Sequence, residues 1–275
     1  MTSQPVFIQV GALAEGFAPD SHVLPPVDDL AGSTLQLEFA DGPAETLTFV
    51  AAGVVRTSNG QFDCRITSVR DGIYFVDYIG GGDGSRPAAT SHVLDVKQGL
   101  CTSLAGTLPN ESEARTDAFT RVERGLELTG VQVRLRHGRI VAQGAQAGAQ
   151  AGAEAALHHP TRKLIGMRNL YTYSATEQYE HVYLNDNFYA WQCLSGVEAG
   201  LADVDRCHYI AIAKDLYLFV WREKIIPTLG VVMIDLERKK TDGKIFGYRG
   251  SQFDSLSNFP VGALAEVLNV TRYPR

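Results

Sequence analysis

Side chains able to bind and protonate a small molecule recur at every second position in three stretches of the C-terminal half. They are, in chain order, Tyr171 and Tyr173; Tyr179, His181 and Tyr183; and Tyr217, Phe219, Trp221 and Glu223. Successive side chains of a β-strand point to opposite faces of the sheet, so residues at this spacing share one face. If these faces line a barrel interior, phenols, an imidazole and a carboxylate meet in one pocket.

Such a pocket is suited to acid–base chemistry. A glutamate among aromatic rings has its pKa raised by loss of hydration, so it can hold a proton near neutral pH. Two tyrosines at positions i and i+2 can together hold a phenolate or carboxylate oxygen. We therefore predict three catalytic residues: Glu223 as the acid–base group, and Tyr171 and Tyr173 as the groups that orient and polarise the substrate.

The other members of the three stretches are predicted to bind the substrate. These are Tyr179, His181, Tyr183, Tyr217, Phe219 and Trp221. The alternative is that the aromatic residues are there because they form strands well, with their polar tips in solvent at the rim. No metal site is predicted, because only His181 shares the face of Glu223 and zinc requires three or four ligands.

Short apolar stretches separated by turn residues predict antiparallel strands, in one series over residues 34–96 and a second over 169–236. The two series look like copies, because matching residues lie at one constant offset (217 − 74 = 143, and the same for 221 and 78). Consecutive short strands joined by tight turns favour barrels or sandwiches over βαβ units. The predicted fold class is all-β, with two tandem antiparallel β-barrels and short helices at 111–124 and 261–267.

A low-complexity Ala/Gly/Gln tract separates the copies and sets the predicted domain boundaries. The first barrel is assigned to residues 1–141, the linker to 142–159, and the second barrel, with the site, to 160–275. The linker composition fits either a flexible tether or an alanine-rich helix.

Composition restricts the classes of function. The chain has 275 residues and a formal net charge of -6, which argues against a nucleic-acid surface. Apolar runs are too short to span a bilayer, and MTSQPVFIQV does not have the pattern of a signal peptide. Four dispersed cysteines fit reduced thiols. We expect a cytoplasmic protein that binds neither nucleic acid nor membrane.

Two blocks of sequence resemble a known family. The strings YTYS, YEHVYLN, LADVDRC and LYLFVWREKIIPTLG within residues 165–247 are similar to the C-terminal half of the molybdenum-cofactor biosynthesis protein F (MoaF) family, and residues 25–107 resemble its other half more weakly. The resemblance implies calycin-like, or lipocalin-like, barrels. The family's name comes from gene context and implies no particular reaction.

The C-terminal half also resembles, more distantly, bacterial phenolic acid decarboxylases, which are small lipocalin-like barrels. Their Tyr-Thr-Tyr strand matches 171–173, their Trp-x-Glu matches 221–223, and a following threonine matches Thr228. Their arginine falls on Gln192, so the resemblance implies that Gln192 and Thr228 bind substrate. Loss of the guanidinium removes the natural partner of a substrate carboxylate.

Three hypotheses follow. The first is a cofactor-independent lyase, isomerase or cyclase of secondary metabolism, acting by acid–base chemistry on a small hydroxylated aromatic or conjugated molecule. The second is a lipocalin-like protein that binds such a molecule without changing it. The third is an accessory protein in molybdenum-cofactor metabolism. Because the decarboxylases pair as dimers, the tandem repeat can supply that pair within one chain, and a homodimer stays open.

Overall fold

The computed structural model describes residues 6–19, 21–82, 84–142 and 156–272. The chain forms two compact units that are discontinuous in sequence. One unit contains Met1–Val23, Leu108–Gln132 and Pro160–Arg275, and the other contains Leu24–Thr107 and Val133–His159. The sequence divided the chain into contiguous domains instead. The physical reason for the difference is that residues near 10 and 109 pack on the second barrel.

The unit that contains Leu24–Thr107 and Val133–His159 consists of a nine-stranded antiparallel sheet. Its strands are β1 (Thr34–Phe39), β2 (Glu45–Ala51), β3 (Val54–Thr57), β4 (Gly60–Asp63), β5 (Arg65–Arg70), β6 (Ile73–Ile79), β7 (Ala88–Asp95), β8 (Leu100–Thr107) and β9 (Gln132–Ala142). Their order in the sheet is β4-β3-β2-β1-β9-β8-β7-β6-β5. The sheet therefore curls until its two edge strands are consecutive in the chain.

The second unit holds a ten-stranded sheet. Its strands are β10 (His159–Pro160), β11 (Met167–Thr172), β12 (Gln178–Tyr183), β13 (Phe188–Ser195), β14 (Ala202–Ala213), β15 (Leu216–Arg222), β16 (Thr228–Asp235), β17 (Lys240–Tyr248), β18 (Leu256–Val261) and β19 (Leu264–Val270). Eight of them close a ring, β14-β13-β12-β11-β19-β17-β16-β15, because β14 also pairs with β15. An interior of about eight strands holds packed side chains or one small ligand.

The two sheets share one strand order, which confirms the tandem-barrel prediction. β6 and β15 lie at the predicted offset, and β1-β9-β8-β7-β6 repeats as β11-β19-β17-β16-β15. The copies differ at one place. The 12-residue β14 is continuous and pairs with neighbours on both sides, whereas β4 and β5 are separate strands on either side of Cys64. The second barrel is therefore closed, and the first is nearly closed.

The described residues form three short helices beside the barrels: α1 (Val10–Phe17), α2 (Glu111–Ala114) and α3 (Ala118–Glu123). The single helix predicted at 111–124 is therefore two. Asn110 caps the first, accepting from the Glu113 backbone N–H at 2.9 Å. Asp117 caps the second, and its carboxylate accepts from the Thr120 N–H at 2.9 Å. The helical conformation is therefore interrupted between the two.

The helix predicted at 261–267 is wrong. This segment contains the end of β18 and most of β19, and β19 pairs with β11 to complete the ring. Tertiary pairing overrides the local helix propensity of the segment, as is common for short apolar runs.

Each barrel has its own apolar core, and the second core is rich in aromatic rings. The four cysteines are free thiols. Most of the predicted linker, residues 143–155, lies outside the described residues. In the parts of the chain that are described, no helix is both long and apolar enough to cross a membrane.

Candidate functional site

The second barrel contains a small cavity, which we name the chamber. Its volume is about 30 Å³. Its lining residues are Leu13, Phe17, Tyr173, Tyr179, His181, Tyr189, Trp191, Glu198, Trp221, Glu223 and Ile245. A space of this volume accommodates about one or two water molecules. The chamber therefore brings together aromatic rings, one imidazole and two carboxyl groups around a nearly filled interior.

The alternating directions of side chains along β15 and one glycine on the neighbouring strand position Trp221 and Glu223. Residues 217, 219 and 221 face the core, and Glu223 follows directly after the strand. On the neighbouring strand, Gly230 lies against the Trp221 ring, and a Cβ there would overlap the indole. The Trp221 Nε1–H donates to Glu223 Oε1 at 2.9 Å. Strand register and this hydrogen bond together direct the carboxyl group toward the chamber.

The backbone of Glu223 is held on both sides. Its N–H donates to the Thr228 carbonyl oxygen at 2.9 Å, and its carbonyl oxygen accepts from the Thr129 hydroxyl at 2.8 Å. Burial raises the pKa of Glu223 well above the usual carboxyl range, and the negative charges of Asp205 and Glu198 raise it further. Glu223 is therefore suited to carry a proton near neutral pH, as the sequence predicted.

Glu198 is a second carboxyl group in the chamber, and the sequence analysis missed it. It lies in the turn after β13, where its backbone carbonyl accepts from the Leu201 N–H at 2.8 Å. The Tyr179 hydroxyl donates to Glu198 Oε2 at 3.0 Å. Burial raises the pKa of Glu198 to about 7, the Tyr179 hydrogen bond opposes the rise, and the charge of Glu177 adds to it. Glu198 thus titrates near neutrality, and the pKa of Glu223 in the same chamber is also raised.

His181 stands among aromatic rings. Its ring centre lies 4.8 Å from that of Tyr171, 5.1 Å from Tyr189 and 6.2 Å from Trp221. Burial lowers the pKa of His181 to about 3, so the imidazole is neutral. Within the described residues, its buried Nδ1 has no hydrogen-bond partner. A buried polar atom of this kind calls for a partner that the protein itself does not supply.

The structure brings five of the predicted site residues to the chamber. They are Tyr173, Tyr179, His181, Trp221 and Glu223. Four others are buried in the same core without lining it: Tyr171, Tyr183, Tyr217 and Phe219. The hydroxyls of Tyr171 and Tyr183 lie 2.6 Å apart, and the Asn169 Nδ2–H donates to Tyr171 at 3.0 Å. This buried chain of hydrogen bonds lies in the core that surrounds the chamber.

The two residues taken from the decarboxylase resemblance do not line the chamber. Gln192 is on the opposite face of β13 from Trp191, and its side chain donates to Glu180. Thr228 is not among the lining residues, and its hydroxyl donates to the Ile226 carbonyl oxygen at 2.8 Å. Its side chain also hydrogen-bonds the Glu223 carboxyl group, which opposes the rise in the Glu223 pKa. The position that corresponds to the family arginine is therefore not in the chamber.

Tyr189 and Trp191 are the inward residues of β13 that the sequence analysis did not select. The Trp191 Nε1–H donates to Asp205 Oδ2 at 2.9 Å, which places a further buried carboxylate behind the indole. Every second residue of this strand, from 189 to 193, is buried. The alternation was visible in the sequence, so these residues could have been found by the rule that identified Trp221.

The first barrel has a different cavity, of about 230 Å³. Polar residues dominate its lining, and its one arginine, Arg136, is paired with Glu45 at 2.8 Å. Ser103 also lines this cavity and lies 2.7 Å from the Nδ1 atom of His92. Of these two cavities, the larger is thus in the copy that lacks the predicted acid–base residues.

Metal ligands are not gathered in the described part of the chain. No group of three or more His, Cys, Asp or Glu side chains there could hold a metal ion. Burial raises the pKa of Cys193 and raises that of Cys207 to about 12, so these thiols stay protonated.

Fold and site together define a tandem antiparallel β-barrel protein whose second barrel encloses an acidic aromatic chamber. Comparison with known proteins gives the family. Residues 5–110 match the MoaF N-terminal domain, and residues 158–271 match the MoaF C-terminal domain. The chain belongs to the MoaF family.

One relative is similar to this chain over its whole length, and one solved structure aligns with part of it. "Protein MoaF" of Klebsiella aerogenes is 49% identical over 275 residues, which cover 99% of each chain. A crystal structure from Burkholderia vietnamiensis, described as a "putative beta-lactamase", aligns with a TM-score of 0.33 and 15% identity, over 39% of this chain and 100% of that one. A TM-score this low supports no argument.

Proposed function

We propose that the second barrel binds a small planar conjugated molecule rich in N–H or O–H donors, and that this binding serves molybdenum-cofactor metabolism in the cytoplasm. The name of the family supports the metabolic assignment. The observation that carries the ligand assignment is the chamber, where two carboxyl groups stand among aromatic rings. Among the described residues that line it, none is Lys or Arg.

The charge of the chamber selects the ligand class. Glu198 and Glu223 both lie in a poorly hydrated site, where an anionic ligand would meet two acids and no cation. A carboxylate instead forms strong hydrogen bonds with N–H or O–H donors of a neutral or cationic ligand. This argument disfavours a substrate that carries a carboxylate or phosphate in the chamber, and therefore disfavours decarboxylation of a simple phenolic acid.

Shape and hydrogen bonding narrow the class further. Tyr179, Trp191 and Trp221 provide aromatic faces on which a flat ring system can stack or pack edge to face. His181 also lines the chamber and has one ring nitrogen without a hydrogen-bond partner among the described residues. A planar heterocycle that carries both donors and acceptors on its edge matches this set of groups.

A second candidate function is acid–base catalysis by a cofactor-free isomerase, cyclase or lyase. The observation that favours it is that two carboxyl groups, both with raised pKa values, line the same chamber. Ionised Glu198 could take a proton from a ligand hydroxyl while protonated Glu223 delivers one to a carbon of the conjugated system. The proton count balances, and no redox partner is needed.

A test in cells addresses the metabolic role. Cells that lack the gene are supplied with wild-type protein, Glu223→Gln or Glu198→Gln, and their molybdenum-cofactor content is measured. We expect wild type to restore the content and both variants to fail. The exposed Glu266→Gln serves as a control that should behave as wild type. Equal content with and without the wild-type gene would reject the role.

A mass-spectrometric screen separates binding from turnover. Purified protein is incubated with planar hydroxylated heterocycles and phenolic compounds, and both bound and converted species are measured. Retention of a compound without conversion supports the binding function. Conversion that Glu223→Gln abolishes supports the catalytic one.

A further inference from the structure

Helix α1 supplies part of the wall of the chamber. Leu13 and Phe17, one turn apart on its buried face, both line the chamber. The Phe17 ring centre lies 4.8 Å from that of Tyr173, 5.6 Å from Tyr179 and 6.0 Å from Phe259. One helix thus inserts an aromatic ring among those that the proposed ligand would contact.

The volume of the chamber excludes a ligand while α1 is in this position. Sites for small molecules have volumes of about 300–1,000 Å³, and the chamber has about 30 Å³. Ladder hydrogen bonds join neighbouring strands around most of the eight-stranded ring, and only at the β17–β19 junction is the pairing reduced to Lys240 and Leu264. Expansion of the ring elsewhere would break ladder bonds. The helix is the part of the wall that can leave without breaking the barrel.

The intrinsic stability of α1 as a helix contributes little to holding it in place. It has eight residues, a length at which an isolated helix is marginal in water. No side chain caps its N-terminus, and it contains Gly11 and Gly16, each about 1 kcal/mol less favourable than alanine within a helix. Its position is therefore determined by packing on the barrel rather than by its own stability.

Both glycines are sites of close approach. Gly11 donates its N–H to the Arg249 carbonyl oxygen at 3.0 Å, and a Cβ at Gly11 would lie 2.6 Å from that oxygen. A Cβ at Gly16 would lie 3.2 Å from the Cβ of Val197. Val197 precedes Glu198 in the turn after β13, so α1 rests directly on the turn that carries the second carboxyl group.

We propose that α1 is a displaceable plug, and that a ligand enters the chamber by taking the place of the Phe17 and Leu13 side chains. In this proposal α1 regulates access to the site of the proposed function, so the proposal rests on that function. The aromatic contacts that Phe17 makes with Tyr173 and Tyr179 are replaced by those of the incoming ring. The bound and plugged forms are therefore alternatives that compete for one set of contacts.

A reversible covalent lock tests the plug. The double variant Gly16→Cys/Val197→Cys places two Cβ atoms near the disulfide range of about 3.5–4.5 Å. The probe is N-phenyl-1-naphthylamine, a neutral fluorophore with flat rings and one N–H donor. We expect the oxidised protein to bind this probe at least about tenfold more weakly than the same protein after reduction. Wild type and the single variant Gly16→Cys, given the same treatment, should show no such change.

A second test favours displacement of α1 instead of locking it, with one variant and one control. Gly16→Leu inserts a side chain where α1 meets Val197, and we expect it to tighten probe binding by about tenfold relative to wild type. Ala12→Leu adds the same side chain on the exposed face of α1 and should leave the affinity unchanged. Thermal unfolding of each variant shows that the barrel is intact.

The outcomes are distinct from those for the proposed function. Equal probe affinity in the oxidised and reduced forms would overturn the plug, and so would failure of Gly16→Leu to bind the probe any better than Ala12→Leu. Neither result bears on cofactor content in cells supplied with wild-type protein, which tests the function itself.

Discussion

Glu223 links the stability of the protein to pH. Because its pKa is raised in the folded protein, the group favours folding fully only below the unfolded carboxyl pKa of about 4.3. As pH rises above that value the unfolded chain ionises first, and stability falls by up to about 1.4 kcal/mol per pH unit until the folded pKa is reached. Glu223→Gln removes this loss while keeping an acceptor for the Trp221 N–H.

The prediction is a difference that grows with pH. Glu223→Gln should match wild type near pH 4 and exceed it in free energy of unfolding from about pH 5 to pH 8. Urea unfolding at several pH values measures this. Glu266→Gln, which removes a carboxyl group at an exposed site, is the control and should leave the free energy of unfolding close to that of wild type. A constant difference for Glu223→Gln would mean that its carboxyl group ionises as it does in the unfolded chain.

Tyr171 and Tyr173 were predicted as a pair, but the structure separates them. The Tyr171 hydroxyl accepts from Asn169 and meets Tyr183 in a fully buried chain, whereas Tyr173 lines the chamber. Tyr171→Phe leaves buried partners unsatisfied and should lower the free energy of unfolding by about 1–3 kcal/mol. Tyr173→Phe should lower it less and should instead impair restoration of cofactor content. Urea unfolding and the assay in cells check the two effects, and the reverse pattern would contradict the assignment.

Alternation within strands predicted much of the site, and its failures have physical causes. The inward positions of Tyr179, His181 and Trp221 follow directly from the two-residue period. Gln192 was selected by alignment to a distant family, against the period that favours Trp191 in the same strand. Glu198 lies in a turn, where no period exists to indicate which side chains point inward.

At the level of elements, β15 and β16 approach closely where Gly230 lies against the Trp221 ring. We expect this contact to determine the position of the indole in the chamber. Gly230→Ala puts a methyl group into the Trp221 ring, so we expect the indole to move and its hydrogen bond to Glu223 to break. Overpacking of this kind costs about 1–3 kcal/mol. In a Trp191→Phe background, a red shift of the Trp221 emission reports the movement. Gly250→Ala, where a Cβ has open space, is the control, and unchanged emission in both variants would contradict the prediction.

The elements that the sequence mispredicted are those determined by distant partners. Residues 10–17 contain two glycines and no capping side chain, so no local signal marks α1 as a helix. β19 contains helix-compatible residues, but it pairs along its length with β11 to close the ring. Packing on a barrel determines the conformation of both segments, and a single sequence does not display that packing.

At the scale of the molecule, each barrel contains the same strand order, and one continuous strand distinguishes them. β14 spans both of its neighbours, while the equivalent segment of the other copy breaks at Cys64. The repeat was recognisable in the sequence because matching residues keep a constant offset. The closure of the second barrel was not recognisable in the sequence. It depends on whether one strand stays continuous, as β14 does, or is interrupted, as happens between β4 and β5.

The unit that contains the second barrel also depends on residues 108–132. Arg222, which is 8% exposed, donates to Glu127 Oε2 at 2.7 Å and to the Val131 carbonyl oxygen at 3.1 Å. Thr129 holds the carbonyl of Glu223, and Tyr248 donates to the Pro109 carbonyl oxygen at 2.8 Å. Without this segment, a buried guanidinium loses its partners, a change that is strongly destabilising.

We therefore expect a chain of residues 160–275 alone to unfold at a lower temperature, and less cooperatively, than a chain of residues 108–275. Circular dichroism during heating measures both transitions. Within the full chain, Glu127→Gln should reproduce part of the effect, because the buried Arg222 would lose its charged partner. Since the Glu127 side chain is itself half exposed, we expect the free energy of unfolding to fall by no more than about 1 kcal/mol. Glu111→Gln, in the same segment, should have a smaller effect, because both members of its ion pair with Arg115 are solvent-exposed. Equal unfolding temperatures for the two chains would show that the second barrel folds without the segment, and Glu223 would then be positioned by the barrel alone.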